Sequence, residues 1–177
     1  MKKYLFLALS ITTVALLLIS SAPEAEAGDM TSKKTQTGVS KKDHGGTPWI
    51  TDIEKITLDN DLFRSAKWTG EHIQMTLMSI PPGGEIGGEI HPKNDQFIRI
   101  ESGKGRVMMG MSKDDLIVDE KVSDDWALLI PAGYWHNLVN TGNAPLKLYA
   151  IYGPPEHPEG TVHKTYEESE KAHHDQR

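Results

Sequence analysis

The chain has 177 residues, no cysteine, and 19 Lys+Arg against 25 Asp+Glu, a formal charge of −6 with neutral histidine. That length holds one domain of ordinary size with an appendage. The acidic balance excludes general nucleic-acid binding through a basic surface, and the missing cysteine excludes a disulfide framework, a Cys-ligated metal and a thiol nucleophile.

In chain order, Lys2 and Lys3 precede an apolar run over 4–19, and Ala25-Glu26-Ala27 places small residues at a cleavage site. This is the three-part pattern of a signal peptide over 1–27, cut after Ala27; the run is short for a bilayer span of roughly 20 residues. The expectation is export from the cytoplasm to a periplasmic or extracellular location, with no stable membrane insertion once the segment is removed. Residues 28–48 turn to Thr, Ser, Lys, Gly and Asp, with Met30 and Val39 the only large apolar residues. That composition reads as a flexible linker, and His44 within it as a solvated loop residue.

From Trp49 onward short β runs alternate with turn chemistry. The segments 73–80, 97–100, 106–111, 116–118, 126–130, 134–139 and 146–152 read as strands. Spacings of about 8–12 residues are the mark of an all-β sandwich or barrel, expected over 49–155. Pro81-Pro82-Gly83-Gly84 stops the first of these runs. The only helical stretch lies around 165–174 and is polar enough to fray, so 156–177 reads as a strap and polar tail.

Two blocks carry chemistry. In the first, Gly83, Glu89, His91, Gln96 and Gly103 stand at the spacing G-x5-[E]-x-H-x4-[Q]-x6-G. In the second, Asp125, Pro131, Gly133, His136 and Asn140 stand at [D]-x5-P-x-G-x2-H-x3-N. These blocks resemble the two cupin motifs, with Glu89 in the first His place, Gln96 in the Glu place and Asp125 in place of the first Gly of the second motif. The chain thus resembles the cupin superfamily, a double-stranded β-helix or jelly-roll barrel. Its Glu-x-His-Pro and Asp-Gln-Phe text resembles small bacterial single-domain cupins of type 2, often labelled mannose-6-phosphate isomerase-like. A fold-level likeness does not by itself define a reaction.

In an extended strand residues two apart share a side, so Glu89 and His91 aim together while Ile90 turns away. Barrel closure then brings Gln96 and His136 toward them from later strands. One carboxylate, two imidazoles and one amide oxygen suit a single divalent metal ion, Fe, Mn, Ni or Zn. Such a set leaves positions open for water or a small-molecule ligand. The competing reading is a metal-free hydrogen-bond network among the same four side chains; a carboxylate and two imidazoles inside a barrel must be paired by something, and a cation does so.

Other residues carry less. Trp68, Tyr134 and Trp135 read as mouth-lining or simple packing aromatics, and His72 has no visible partner. Asp95 and Arg99 stand near the ligand block, although an inward Gln96 turns Arg99 outward. The Pro154–His163 text resembles the tail of the same small cupins and reads as a strap, with His157 and His163 as second-rank site candidates. His173 and His174 read as adventitious metal binders in a charged tail. There is no Gly-x-Ser-x-Gly elbow, phosphate-cradling Gly-x4-Gly-Lys loop or His-Glu-x2-His pair. The expected function is an exported cupin that binds one metal and binds or acts on a small sugar or carboxylic acid, with isomerase- or dioxygenase-like chemistry. The alternative is a non-enzymatic ligand-binding or structural barrel, and the resemblance also admits a homodimer through paired sheet edges.

Overall fold

The computed structural model describes residues 42–175; the segment read as a signal peptide and most of the linker lie outside the described residues. Elements follow in the order α1 (Ile53–Leu58), β1 (Arg64–Thr69), β2 (Gln74–Ile80), β3 (Glu89–Ile90), β4 (Asp95–Ser102) and β5 (Lys104–Ser112). Then come β6 (Asp115–Ser123), β7 (Ala127–Ile130), β8 (Trp135–Asn140), β9 (Leu146–Gly153), β10 (Val162–His163) and α2 (Tyr166–Asp175). Two antiparallel sheets, β10-β1-β2-β9-β4-β7 and β3-β8-β5-β6, form the expected all-β barrel. Among the described residues no helix is long and apolar enough to cross a membrane.

The register sorts the interior into two ends. On three neighbouring strands the inward positions face one another as Gln74, Tyr152 and Gln96, then Thr76, Ala150 and Ile98, then Met78, Leu148 and Ile100. Across the barrel, His136 pairs with Glu89 while Leu138 pairs with Val107. One end is therefore polar and the other apolar, where Ile80, Ile100, Val107, Leu138, Leu146 and Leu148 make the core. Each such side chain contributes about 1.5–3 kcal/mol when fully buried, and that end carries the stability that lets the polar end be built from hydrophilic groups.

Two turns set the second block. Gly133 adopts φ 85°, and its N–H donates to the His91 carbonyl at 2.9 Å, tying the turn before β8 to the residue after β3. Asp125 adopts φ 68°, the left-handed conformation that a glycine takes without cost and that Asp tolerates better than most residues. Its carboxylate also pairs with Arg99, so the departure from glycine keeps the turn and gains an ion pair.

Several segments differ from the sequence reading. β1 escapes it because Arg64, Ser65 and Lys67 are buried polar residues that erase the apolar alternation. The six-residue α1, capped by Asp52 accepting from the Lys55 N–H at 3.0 Å, is too short for a periodic signal. The linker's described end, 42–48, is bonded to the barrel. There the Asp43 carboxylate accepts from the Thr69 hydroxyl at 2.6 Å and the Gly160 N–H at 3.0 Å. His44 stacks on Trp49 with ring centroids 4.6 Å apart. The expectation of a frayed polar tail is corrected as well: Ser169 of α2 is buried and accepts from Arg64 Nη1 at 2.8 Å, and Tyr166 meets Phe63 edge-on at 5.7 Å. Those partners are about a hundred residues away in sequence, where no local pattern reaches.

Candidate metal centre

Glu89 and His136 are direct partners in the β3–β8 ladder, and His91 follows two residues after Glu89, with Ile90 turned outward at 49 % exposure. The strand alternation expected from the sequence is therefore what aims Glu89 and His91 together. Ligand atoms of Glu89, His91 and His136 lie within 4.8 Å of one another. Glu89 Oε1 sits 3.2 Å from His91 Nε2 and 3.4 Å from His136 Nε2.

Each imidazole is oriented from behind. His136 Nδ1 lies 3.1 Å from the Tyr134 carbonyl, and His91 Nδ1 lies 3.1 Å from Glu156 Oε1. Both partners only accept, so in a neutral ring Nδ1 holds the proton and Nε2 keeps the lone pair that a metal ion would take. A carboxylate or carbonyl on the far nitrogen is the usual support of a metal-ligating histidine.

Gln96 occupies the inner face of β4 and is buried. It faces Tyr152, whose ring lies edge-on to His91 with centroids 5.5 Å apart. Glu89 Oε1, His91 Nε2, Gln96 Oε1 and His136 Nε2 are all buried without a hydrogen-bonding partner. Buried polar groups are normally paired. The Glu89 oxygen and the two imidazole Nε2 atoms form a set that a cation satisfies, and the donor types fit a borderline or hard divalent ion.

The charges respond accordingly. Burial pushes the Glu89 carboxyl up, but the His136 and His91 imidazoles and then the more distant Arg64 override it and hold it well below the usual carboxylate range. Burial lowers the His91 imidazole, yet Glu156 and Glu89 on its two ring nitrogens raise it to about 9. In the metal-free protein a proton on His91 thus takes the place between two carboxylates.

The remaining candidates separate cleanly. Asp95 accepts from the Ala132 N–H at 3.0 Å, and Arg99 pairs with Glu101 and Asp125, so neither faces the ligand cluster. Trp68 Nε1 donates to the Thr47 carbonyl at 2.9 Å, and Tyr134 packs on the core. His72 lies on the surface, 3.9 Å from Glu71. His157 and His173, by contrast, wall a cavity of about 250 Å3 together with Glu89, His91 and Glu156. The reading of His173 as a tail residue is corrected, because α2 carries it to the cavity. Glu156 was not singled out by sequence reasoning, since nothing local marks one acidic residue in a Pro-rich strap as the partner of a histidine 65 positions earlier.

This two-sheet barrel with its His/Glu cluster at the polar end defines a cupin. The chain belongs to the cupin family: the type-2 family model, described as Cupin domain, matches residues 76–152. It is 53 % identical over 137 residues to the uncharacterized protein YrkC of Bacillus subtilis, covering 77 % of this chain and 74 % of that one. It is 40 % identical over 115 residues to the uncharacterized protein L612 of Acanthamoeba polyphaga mimivirus, covering 64 % of this chain and 70 % of that one. The crystal structure of BH2720 from Bacillus halodurans matches with a TM-score of 0.72 and 56 % identity, over 73 % of this chain and 98 % of that chain.

Proposed function

We propose that this cupin holds one divalent metal ion through Glu89, His91 and His136, with Gln96 as a further oxygen ligand, and presents it to a small oxygenated metabolite. The observation that carries the reading is that the ligand atoms of Glu89, His91 and His136 are buried within 4.8 Å of one another and have no hydrogen-bonding partner outside the cluster. When bound, the ion supplies a Lewis acid that polarises a ligand oxygen. The chain's own residues do the rest. Tyr134 and Glu156 fix which imidazole nitrogen is free, and the strap around His157 narrows access to the cluster. The N-terminal pattern at 1–27 supports work outside the cytoplasm, and the cavity's size supports a small sugar or carboxylic acid as the molecule bound or converted.

The test is elemental analysis of the protein from Gly28 to Arg177, purified without affinity tag or chelator. Near one equivalent of a transition metal is expected, falling below a tenth in His136→Ala while the far-UV β spectrum is kept. Absence of metal after supplementation overturns the reading. It would leave the second reading, favoured by the elevated His91, in which a charged imidazole between Glu89 and Glu156 completes a metal-free polar core.

A further inference from the structure

The lining of the same cavity holds polar atoms that metal binding does not use. His157 is 7 % exposed, and its backbone N–H and carbonyl are both bonded to the Gln74 amide, at 2.9 and 2.8 Å. Its ring packs edge-on to Tyr152 with centroids 5.1 Å apart and face to face with His173 at 5.9 Å. Held by these contacts, it leaves Nε2 buried and without a partner, and the residue forms part of the cavity's lining. A rigid, unpaired donor or acceptor at a cavity wall is what a bound molecule completes.

Charge narrows what that molecule is. Arg64, on the inner face of β1, is 1 % exposed; its Nη1 donates to the neutral Ser169 hydroxyl, and its Nε has no partner. No carboxylate among the described residues forms an ion pair with it, although its charge acts on Glu89, His157 and His173. Burial first and then Arg64 hold His157 well below the usual imidazole range, so this ring is neutral and offers an N–H. With a divalent ion in place, the ion and the buried Arg64 outweigh the carboxylates that line the cavity, Glu89 and Glu156, by one positive charge; Glu170 of α2, a further carboxylate near His173, is half-buried and does not line it. A buried excess charge is costly until paired. The cavity, at about 250 Å3, is below the roughly 300–1,000 Å3 of drug-sized pockets.

We propose that the molecule taken up beside the metal is a small monoanionic oxyacid of a few carbon atoms, and that the His157 ring N–H donates a hydrogen bond to it from the cavity wall. This rests on the metal-centre reading and adds the charge of the ligand and the residue that receives it. His173 backs the His157 ring, which makes the C-terminal strap and α2 part of the binding site.

The experiment uses protein loaded with Zn(II), its metal content measured first, and 15N-labelled at histidine. It is titrated with L-lactate and, as an uncharged control of similar size, with propane-1,2-diol. The His157 ring resonances are assigned from His157→Gln. Lactate is expected to saturate the protein and shift those resonances, the diol to do neither, and His157→Phe to weaken lactate binding at least tenfold with metal content unchanged. Lactate binding that leaves the His157 resonances and the His157→Phe affinity unmoved removes His157 from the site. Equal binding of the diol, or no binding of lactate, overturns the anionic class. Failure to load Zn(II), seen before any titration, overturns the metal reading and this proposal with it. Where His157→Phe does not fold, the wild-type resonances decide.

Discussion

The two walls of the cavity are held in place by different means. Glu89 and His136 face each other in a strand ladder, and the His91 carbonyl accepts from the Gly133 N–H, so backbone pairing sets the ligand geometry. The strap and α2 are held largely by side chains: Gln74 on His157, Asn94 on the Pro154 carbonyl, Arg64 on Ser169, and Asp43 on Gly160. Side-chain exchanges therefore change the chemistry of the first wall without moving it, whereas in the second they change position. Glu156 is the joint between the two, a strap residue bonded to a cluster histidine.

The largest separation should come from altering charge inside the first wall. Glu89→Gln removes the only anion among the proposed ligands, whereas Gln96→Glu adds one. Metal affinity, measured by competition with a chelator, should fall far more in Glu89→Gln, and the reverse order would remove this charge distribution. Next comes the joint. Glu156→Gln should cost roughly 10–100-fold in metal affinity, the usual effect of losing a partner behind a metal-ligating histidine. An unchanged affinity would reduce Glu156 to packing.

The pH dependence follows from the same contact. Metal needs the neutral His91 ring, which in the metal-free protein is protonated below about 9. Between pH 7 and 9 apparent affinity should therefore rise about tenfold per pH unit and then level off. In Glu156→Gln the levelling should occur at lower pH, because one of the groups raising His91 is gone. For the metal-free fold the sign is opposite: a raised histidine stabilises below its ordinary value of 6.5, and that contribution is lost as pH rises through about 9. A melting temperature of the metal-free protein that rises over that window would contradict the arrangement.

The smallest effect belongs to the second wall. Ser169→Ala removes a single buried hydrogen bond and should cost about 1–3 kcal/mol, because it leaves the guanidinium with one donor fewer satisfied. Hydrogen exchange over 154–175 should quicken while metal affinity is unchanged. A loss of metal in that variant would show that the two walls are not independent.

The motif spacings made the barrel and three of its buried site residues legible because strand alternation and turn chemistry are local: Glu89-x-His91 shares a side by the pleat, and Pro131-Ala132-Gly133 turns the chain into His136. The same locality hid the rest. β1 carries Arg64 and Lys67 where an apolar alternation was needed, and its burial is made acceptable by partners elsewhere in the fold. The tail looked polar because its packing partners, Phe63 and Arg64, lie about a hundred positions upstream.

What the sequence by itself determined is the polar end of a cupin barrel: which side chains share its interior follows from a period of two along each strand and from where the turns fall. What only the tertiary structure decided is what stands against that end. The placement of Glu156 behind His91, of His157 and His173 in the cavity's lining, and of Arg64 as a buried charge depends on side-chain contacts between segments far apart in the chain. No local periodicity encodes such contacts, since each becomes favourable only once closure of the barrel has removed water from both partners.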